Sequence, residues 1–380
     1  MPIKARCHES GVALIDKEGN VIFAASEERF SRKKLDGDFP VLSIEKMLEF
    51  TGVKREDIEY VVVPAINNIG KIFRFAEFIF KERLGHLFKP GTYKVFYKLF
   101  LSEKNASKIK DQEGEGEFKM KYFWKDFIKQ NFPKARIAKI DHHIAHAGGA
   151  YFTSPWEKAL IVTMDGAGNF LSSIVAVGKS GKIKKIAKTF IPHSAGVFWG
   201  SVTKVCGFKS GTRHGGKVTG LAASGDSNKL IDKFRQVIKC EGLRLRAKEE
   251  LFFDATKLIP DWGNYEPERL KNFLGESTRE DVAAGAQKRL EEVAVELISN
   301  ALNKTGMNKV VLAGGVFANV LLNQKIRQLP KVDDMYVFPA MSDGGLALGA
   351  ALSFLSKLKR KEGVKLLPKS FGMVYFGPSY

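Results

Sequence analysis

The sequence predicts an α/β fold made of two related halves, and three observations carry that prediction. Short β-prone runs alternate with segments of helical periodicity along the chain, the pattern of strands flanked by helices. A strand, loop and hairpin arrangement near the start returns after residue 159, which reads as an internal duplication with a cleft between the copies. The chain has 380 residues, 44% hydrophobic and 27% charged, enough to bury a core in each of two lobes. The expected boundaries are 1–140 for the first lobe, with a helical insertion at about 70–130, and 141–380 for the second.

The same composition excludes disorder, collagen-like repeats and small disulfide scaffolds. Cys7, Cys206 and Cys240 are odd in number and scattered, with no C-x-x-C, so neither a disulfide framework nor a thiolate metal site is indicated and a reducing cytoplasm is expected. No run approaches the length of a membrane span, and Asp16 and Lys17 interrupt the N-terminal segment before a signal core develops. A chain neither exported nor membrane-bound is the expectation.

In chain order, Gly11-Val-Ala-Leu-Ile-Asp16 and Val21-Ile-Phe-Ala-Ala25 are β-prone runs joined by Lys17-Glu-Gly-Asn20, a hairpin signal. Residues 42–51 form a short amphipathic segment. From 71 to 139 seventeen Lys/Arg face eight Asp/Glu, a surplus of nine within a whole-chain net charge of +19. Phenylalanines are interleaved there, and 104–118 reads as an exposed loop. This is either a basic, aromatic nucleic-acid surface or a helix with Ile72, Phe75 and Ile79 on its core face and solvated lysines outside. Residues 135–140 read as a strand and 159–165 as a buried one. The second hairpin follows at 173–177 and 183–189, turning at Lys179-Ser-Gly-Lys182. Val282, Ala286, Leu290, Val293, Leu297 and Ala301 recur at helical spacing and predict a helix over 281–303. A strand at 309–313 and a small-residue helix at 346–355 complete the pattern.

Five stretches can carry chemistry. In Asp141-His142-His143-Ile-Ala-His146, Asp141 is a plausible N-cap, and a helix starting there places His142 and His146 on one face, able to offer two imidazoles to one metal. Three of seven histidines fall within these residues, so a metal or phosphate role is favoured; His143 points elsewhere. No Glu follows the first His, so the metalloprotease helix motif is not met. Asp165 ends a buried strand, and the glycines of Asp165-Gly-Ala-Gly168 let a phosphate approach the backbone; the Asp is a third metal ligand or part of a plain turn. Gly314-Gly315, with Asn319 beginning a helix, link a strand to a helix N-terminus that can receive an anion. Asp343-Gly-Gly repeats that design. Gly211-Thr-Arg213-His214-Gly-Gly-Lys217 is a phosphate or carboxylate grip or a solvated turn, and is not a P-loop because Val218 follows Lys217.

Taken in order, His142-His-x-x-His146-Ala, Asp165-Gly-x-Gly, Gly216-Lys-Val-x-Gly-Leu-Ala222, Gly314-Gly-Val-x-x-Asn319 and Pro339-x-x-Ser-Asp343-x-Gly-x-Ala-Leu-Gly-Ala350 resemble the NodU/CmcH-type O-carbamoyltransferases. Glu27-Glu-Arg-Phe-Ser-Arg-Lys-Lys34 with Phe39-Pro40 matches that family's N-terminal stretch. The resemblance runs from about His8 to Pro378.

It implies an actin-like ATPase fold with a nucleotide cleft, and transfer of a carbamoyl group from carbamoyl-adenylate, made from carbamoyl phosphate and ATP, to a hydroxyl of a small-molecule acceptor. By residue-wise implication His142, His146, Asp165 and Asp343 hold a divalent metal, Fe2+ first, with Zn2+ or Mn2+ as alternatives. Gly166, Gly168, Gly196, Lys217, Gly314, Gly315 and Asn319 line the nucleotide site, and His8 and Lys34 face the acceptor from the opposite lobe. His8 and Glu9 are candidates for the general base by position.

Three departures stand out. Family members continue into a YrdC-like domain that makes the carbamoyl-adenylate, whereas this sequence stops at Tyr380, so that domain is expected on a separate chain, truncated away or lost. The first strand, 1–7, is short and polar. Asn169 stands where the family has Asp, which removes one carboxylate from the phosphate loop. Two rival readings follow: a tRNA threonylcarbamoyltransferase-like enzyme using the basic insertion, against which Ile144-Ala145 replace that group's Glu-Gly, and a non-catalytic nucleotide-binding protein. Membrane and nucleic-acid partners are not expected.

Overall fold

The structure, a computed structural model, describes residues 9–65, 74, 77, 124–253, 267–372 and 374–378. The candidates His8 and Cys7, and the 104–118 loop of the basic insertion, lie outside the described residues. Strand β1 (Gly11–Ile15) pairs antiparallel with β2 (Val21–Ser26). Their turn is tied by the Asp16 carboxylate, which accepts the Glu18 and Asn20 N–H groups at 3.0 and 2.8 Å. Helix α1 (Val41–Thr51) starts on a buried carboxylate: Glu27 accepts Ser43 N–H at 2.8 Å, the Ser43 hydroxyl at 2.6 Å and Leu42 N–H at 3.0 Å. Strand β3 (Tyr60–Pro64) then pairs in parallel with β4 (Arg136–Ile140), which leads into α2 (His142–Thr153).

The second half repeats this order on a larger scale. Strands β5 (Lys158–Gly168), β6 (Leu171–Lys179) and β7 (Lys182–Phe190) form an antiparallel meander. Helices α3 (Ala195–Val205), α4 (Gly215–Leu221) and α5 (Arg279–Thr305) follow, with a small hairpin of β8 (Ile238–Glu241) and β9 (Arg244–Ala247) between α4 and α5. Strand β10 (Lys309–Ala313), α6 (Val320–Arg327), β11 (Asp334–Val337) and α7 (Leu346–Lys361) complete it. The sheet order is β11-β10-β5-β6-β7, with β10 parallel to both β5 and β11. Hairpin, helix, two parallel strands and a closing helix thus occur twice. The molecule has the α/β fold of two related halves that the sequence predicts.

Both faces of the large sheet are covered, as parallel strands require. On one face Leu160, Val162, Val310 and Leu312 pack against the buried stripe of α5, in which Leu290 is 1% exposed. Helix α5 runs two residues further at each end than its periodicity predicts. Thr278 caps its start by accepting Asp281 N–H at 3.2 Å, and Gly306, at φ +67°, ends it. Leu290→Ala is expected to lower stability by about 2–5 kcal/mol in urea unfolding, with metal content per folded molecule unchanged.

On the other face Ile161, Ile174 and Val311 meet α2 and α7. These two closing helices touch almost backbone to backbone, because a Cβ on Gly349 would lie 1.9 Å from the Ala145 carbonyl oxygen. The chain after α7 runs back over both halves. Lys369 N–H donates to the Phe152 carbonyl at 2.9 Å, and Phe376 bridges to Ala24 on β2.

Candidate metal centre

Four side chains from three segments converge where the closing helices meet the large sheet. Asp141 accepts Ile144 N–H at 3.2 Å, so α2 begins at His142 as its capping residue predicts. The i,i+4 spacing then puts the rings of His142 and His146 on one face, 4.7 Å apart. Strand β5 extends beyond the predicted end to Gly168, but its ladder with β6 breaks between Met164 and Gly168, which frees Asp165 from the sheet. Asp343 lies in the turn between β11 and α7.

The two imidazole Nε2 atoms lie 3.3 Å (His142) and 3.2 Å (His146) from Asp165 Oδ2, and 3.7 and 3.5 Å from Asp343 Oδ1. One donor atom from each of the four residues falls within 4.8 Å of all the others. Asp343 Oδ1 is buried with only these two long imidazole contacts and no well-formed hydrogen bond, a costly state for a carboxylate oxygen out of water. A cation at the common focus would satisfy it. Two imidazoles and two carboxylates are a donor set suited to a borderline divalent ion, so these residues fit the implied metal.

Electrostatics point the same way. Burial opposes ionisation of Asp165, but hydrogen bonds from His142 and His146 outweigh it and hold the carboxyl well below the usual carboxylate range. Burial likewise disfavours protonated His146, yet Asp165 and Asp343 overcome it and raise its pKa to about 9. At pH 7, below that value, metal-free His146 carries its proton, and a cation must displace it. Metal uptake at pH 7 is therefore expected to release about one proton per ion from His146, read with an indicator dye in weak buffer, and affinity should rise with pH up to about 9.

His143 does not belong to this cluster. It is buried, with Nε2 3.1 Å from the Leu171 carbonyl and Nδ1 2.8 Å from the Thr163 hydroxyl. A carbonyl only accepts, so Nε2 carries the proton. Burial and the neighbouring His142 and His146 push its pKa down to about 3, which keeps the ring neutral.

Glycines surround the Asp165 loop. Gly168 lies against His142, where a Cβ would sit 2.0 Å from the ring, while Gly166 faces open space. Gly196, near the start of α3, packs on the Asp165–Gly166 backbone. Gly314 (φ +101°) turns against Met164, and a Cβ on Gly315 would lie 3.3 Å from Asp165 Oδ1. Ser194 caps α3 and donates its hydroxyl to the Asp165 or Gly166 carbonyl, at 2.9 or 2.7 Å, a tie the sequence reading missed.

Asn319 caps α6 through Leu322 N–H, and its amide nitrogen donates to Gln287 Oε1 at 2.7 Å. Lys217 is exposed on α4, its Nζ 5.8 Å from the centre of the Phe208 ring. Lys34 is exposed on a loop shaped by the Glu28 carboxylate at Leu35 N–H (2.6 Å) and by Arg213, which donates to the Lys34 carbonyl.

Asn169 has left-handed backbone geometry (φ +51°), its side-chain oxygen accepts His142 N–H at 3.0 Å, and its carbonyl accepts from Arg74 at 3.1 Å. Arg74 also pairs with half-buried Asp141 at 2.7 Å and so braces the start of the histidine helix. Nothing in the residue types alone signals that pair.

A match to the family described as Carbamoyltransferase N-terminus spans residues 1–352. The chain belongs to that carbamoyltransferase family. Among relatives of this carbamoyltransferase-family chain, the nodulation protein NolNO of Sinorhizobium fredii is 28% identical over 374 residues, which are 97% of this chain and 49% of that protein. The nodulation protein NolO of Bradyrhizobium diazoefficiens is 32% identical over 242 residues, 63% of this chain and 42% of NolO. The chain thus spans about half the length of these relatives. A solved structure, (R)-2-hydroxyglutaryl-CoA dehydratase component A of Acidaminococcus fermentans, is 15% identical with a TM-score of 0.44, covering 91% of this chain and 93% of that one. Among the described residues no helix is long and apolar enough to cross a membrane.

Proposed function

We propose that this member of the carbamoyltransferase family is a transferase that moves a carbamoyl group from carbamoyl-adenylate to a hydroxyl of a small molecule. The observation that carries the reading is the convergence of His142, His146, Asp165 and Asp343 beside a ring of glycines. In the transfer, the acceptor oxygen bonds to the carbamoyl carbon, the bond from that carbon to the phosphate oxygen breaks, and AMP leaves with the electron pair. The hydroxyl proton passes to a base or solvent. A divalent ion held by the four ligands, Fe2+ first and Zn2+ or Mn2+ as alternatives, would supply Lewis-acid stabilisation of the phosphate charge. Gly166, which faces open space, leaves room for the phosphate, and Gly168, Gly314 and Gly315 let the loop pack closely against His142, Met164 and Asp165, with Gly196 holding it from behind. Asn319 fixes the helix that follows the turn, and Lys217 adds positive charge. His8 and Lys34 orient the acceptor.

Purified protein given metal, carbamoyl phosphate, ATP and a panel of hydroxylated acceptors, with and without a YrdC-like partner, tests the proposal. Carbamoylated product and AMP are expected when the partner is present. Intact nucleotide and metal binding with no product in any mixture would overturn it.

A further inference from the structure

Glu9 is assigned a job by its contacts. Its Oε2 accepts from the Ser342 hydroxyl and, at 2.9 Å, from Gly344 N–H. Those residues flank Asp343, the candidate ligand whose Oδ1 faces the His142 and His146 rings at 3.7 and 3.5 Å. Glu9 thus ties down the residues on both sides of Asp343, one through the Ser342 hydroxyl and the other through the Gly344 backbone N–H.

Glu9 belongs to the opposite half of the molecule, and its neighbour Ser10 is firmly tied there. Ser10 N–H donates to the Asp36 carbonyl at 2.7 Å, and the Ser10 carbonyl accepts Glu27 N–H at 2.8 Å. The approach is close: a Cβ on Gly344 would stand 3.0 Å from Glu9 Oε2 and 3.3 Å from the Ser26 hydroxyl. A carboxylate oxygen suits the place, because it can accept from both donors at once.

We propose that Glu9 is a positioning residue that holds Asp343 in place for the cation and links the metal site to the loop at the start of the first hairpin. The inference rests on the metal reading of the four-residue cluster. By linkage, if the Glu9 contacts favour metal binding, bound metal favours the Glu9 contacts by the same factor. This differs from a base role, for which Glu9 is a candidate by position alone. A base needs an ionised carboxylate facing the acceptor, whereas positioning needs an acceptor oxygen facing Ser342 and Gly344.

The test is a Co2+ titration of the full chain followed by visible absorption, joined to hydrogen exchange of the amides of residues 9–16. Glu9→Ala is expected to weaken Co2+ about tenfold to a hundredfold, the usual scale for residues that orient a ligand. Glu9→Gln keeps an acceptor oxygen and should stay within about threefold of the parent. Co2+ should slow exchange at 9–16 in the parent and not in Glu9→Ala. Should Glu9→Ala fail to fold, Ser342→Ala removes one of the two donors and is expected to weaken Co2+ several-fold.

Parent-like Co2+ affinity in Glu9→Ala, or in the folded Ser342→Ala, overturns the inference when Asp343→Ala has lost the ion. So does a Glu9→Gln variant that abolishes transfer with Co2+ affinity intact, since that result makes Glu9 a group acting on the reacting atoms. Parent-like affinity in Asp343→Ala would instead sink the metal reading itself. The two failures are therefore distinct.

Discussion

Asp165→Ala is expected to leave a folded protein that does not retain metal. The carboxylate is the meeting point of both imidazoles, at 3.3 and 3.2 Å, and hydrogen bonds from those rings hold it ionised despite burial. Loss of a residue that merely orients a ligand weakens metals about tenfold to a hundredfold, so loss of this one should exceed about a hundredfold. Metal content after dialysis should fall from near one ion per chain to near none, and carbamoyl transfer should fall with it. Thermal unfolding supplies a second reading. Added divalent ion should raise the midpoint of the parent, because it binds the folded state alone, and leave the variant unmoved. Stoichiometric metal in Asp165→Ala would remove the proposed ligand set.

Gly349→Val should have the next largest effect, and it acts through packing. A Cβ at Gly349 would stand 1.9 Å from the Ala145 carbonyl oxygen and 2.8 Å from Gly149 N. Both are backbone atoms in the middle of a helix, so neither can swing aside. The expected loss is about 3 kcal/mol or more, the upper end for overpacking. Because α2 carries both histidines and α7 follows Asp343 directly, the same separation of helices should weaken metal binding. Gly220→Ala on α4 is the control: a Cβ there meets nothing within 4 Å, and alanine should be neutral or add about 1 kcal/mol. Equal urea midpoints for Gly349→Val and the parent would contradict the packing account.

Much of this was legible in the residues. The strand at Lys309–Ala313 and the start of α2 at His142 fall where hydrophobic pattern and capping chemistry place them. The histidine pair was legible because i,i+4 is a local rule that no tertiary contact alters. Helix α7 continues to Lys361, beyond the predicted 355, because its last turn is Lys- and Arg-rich and leaves no apolar period to read. Long-range pairings left no local trace. Neither Arg74 against Asp141 nor Glu9 against Ser342 and Gly344 could be read from spacing, since each joins segments brought together only by the folded chain. Asn169 reads in the sequence as a missing carboxylate. In the structure its side-chain oxygen supports His142 N–H from a left-handed turn, a conformation asparagine tolerates better than most residues.

The return of the segment after α7 to β2 bears on how the fold closes. Ala24 N–H donates to the Phe376 carbonyl at 2.9 Å, so the first hairpin receives this contact from a residue about 350 positions further along the sequence. Strand pairing across almost the whole chain is slow to close, and an edge left waiting is open to pairing with other chains. During synthesis the first hairpin therefore waits for this neighbour until residue 376 has been made. Its turn, held by Asp16, and the helix cap supplied by Glu27 are local devices that keep this segment in order until Phe376 arrives.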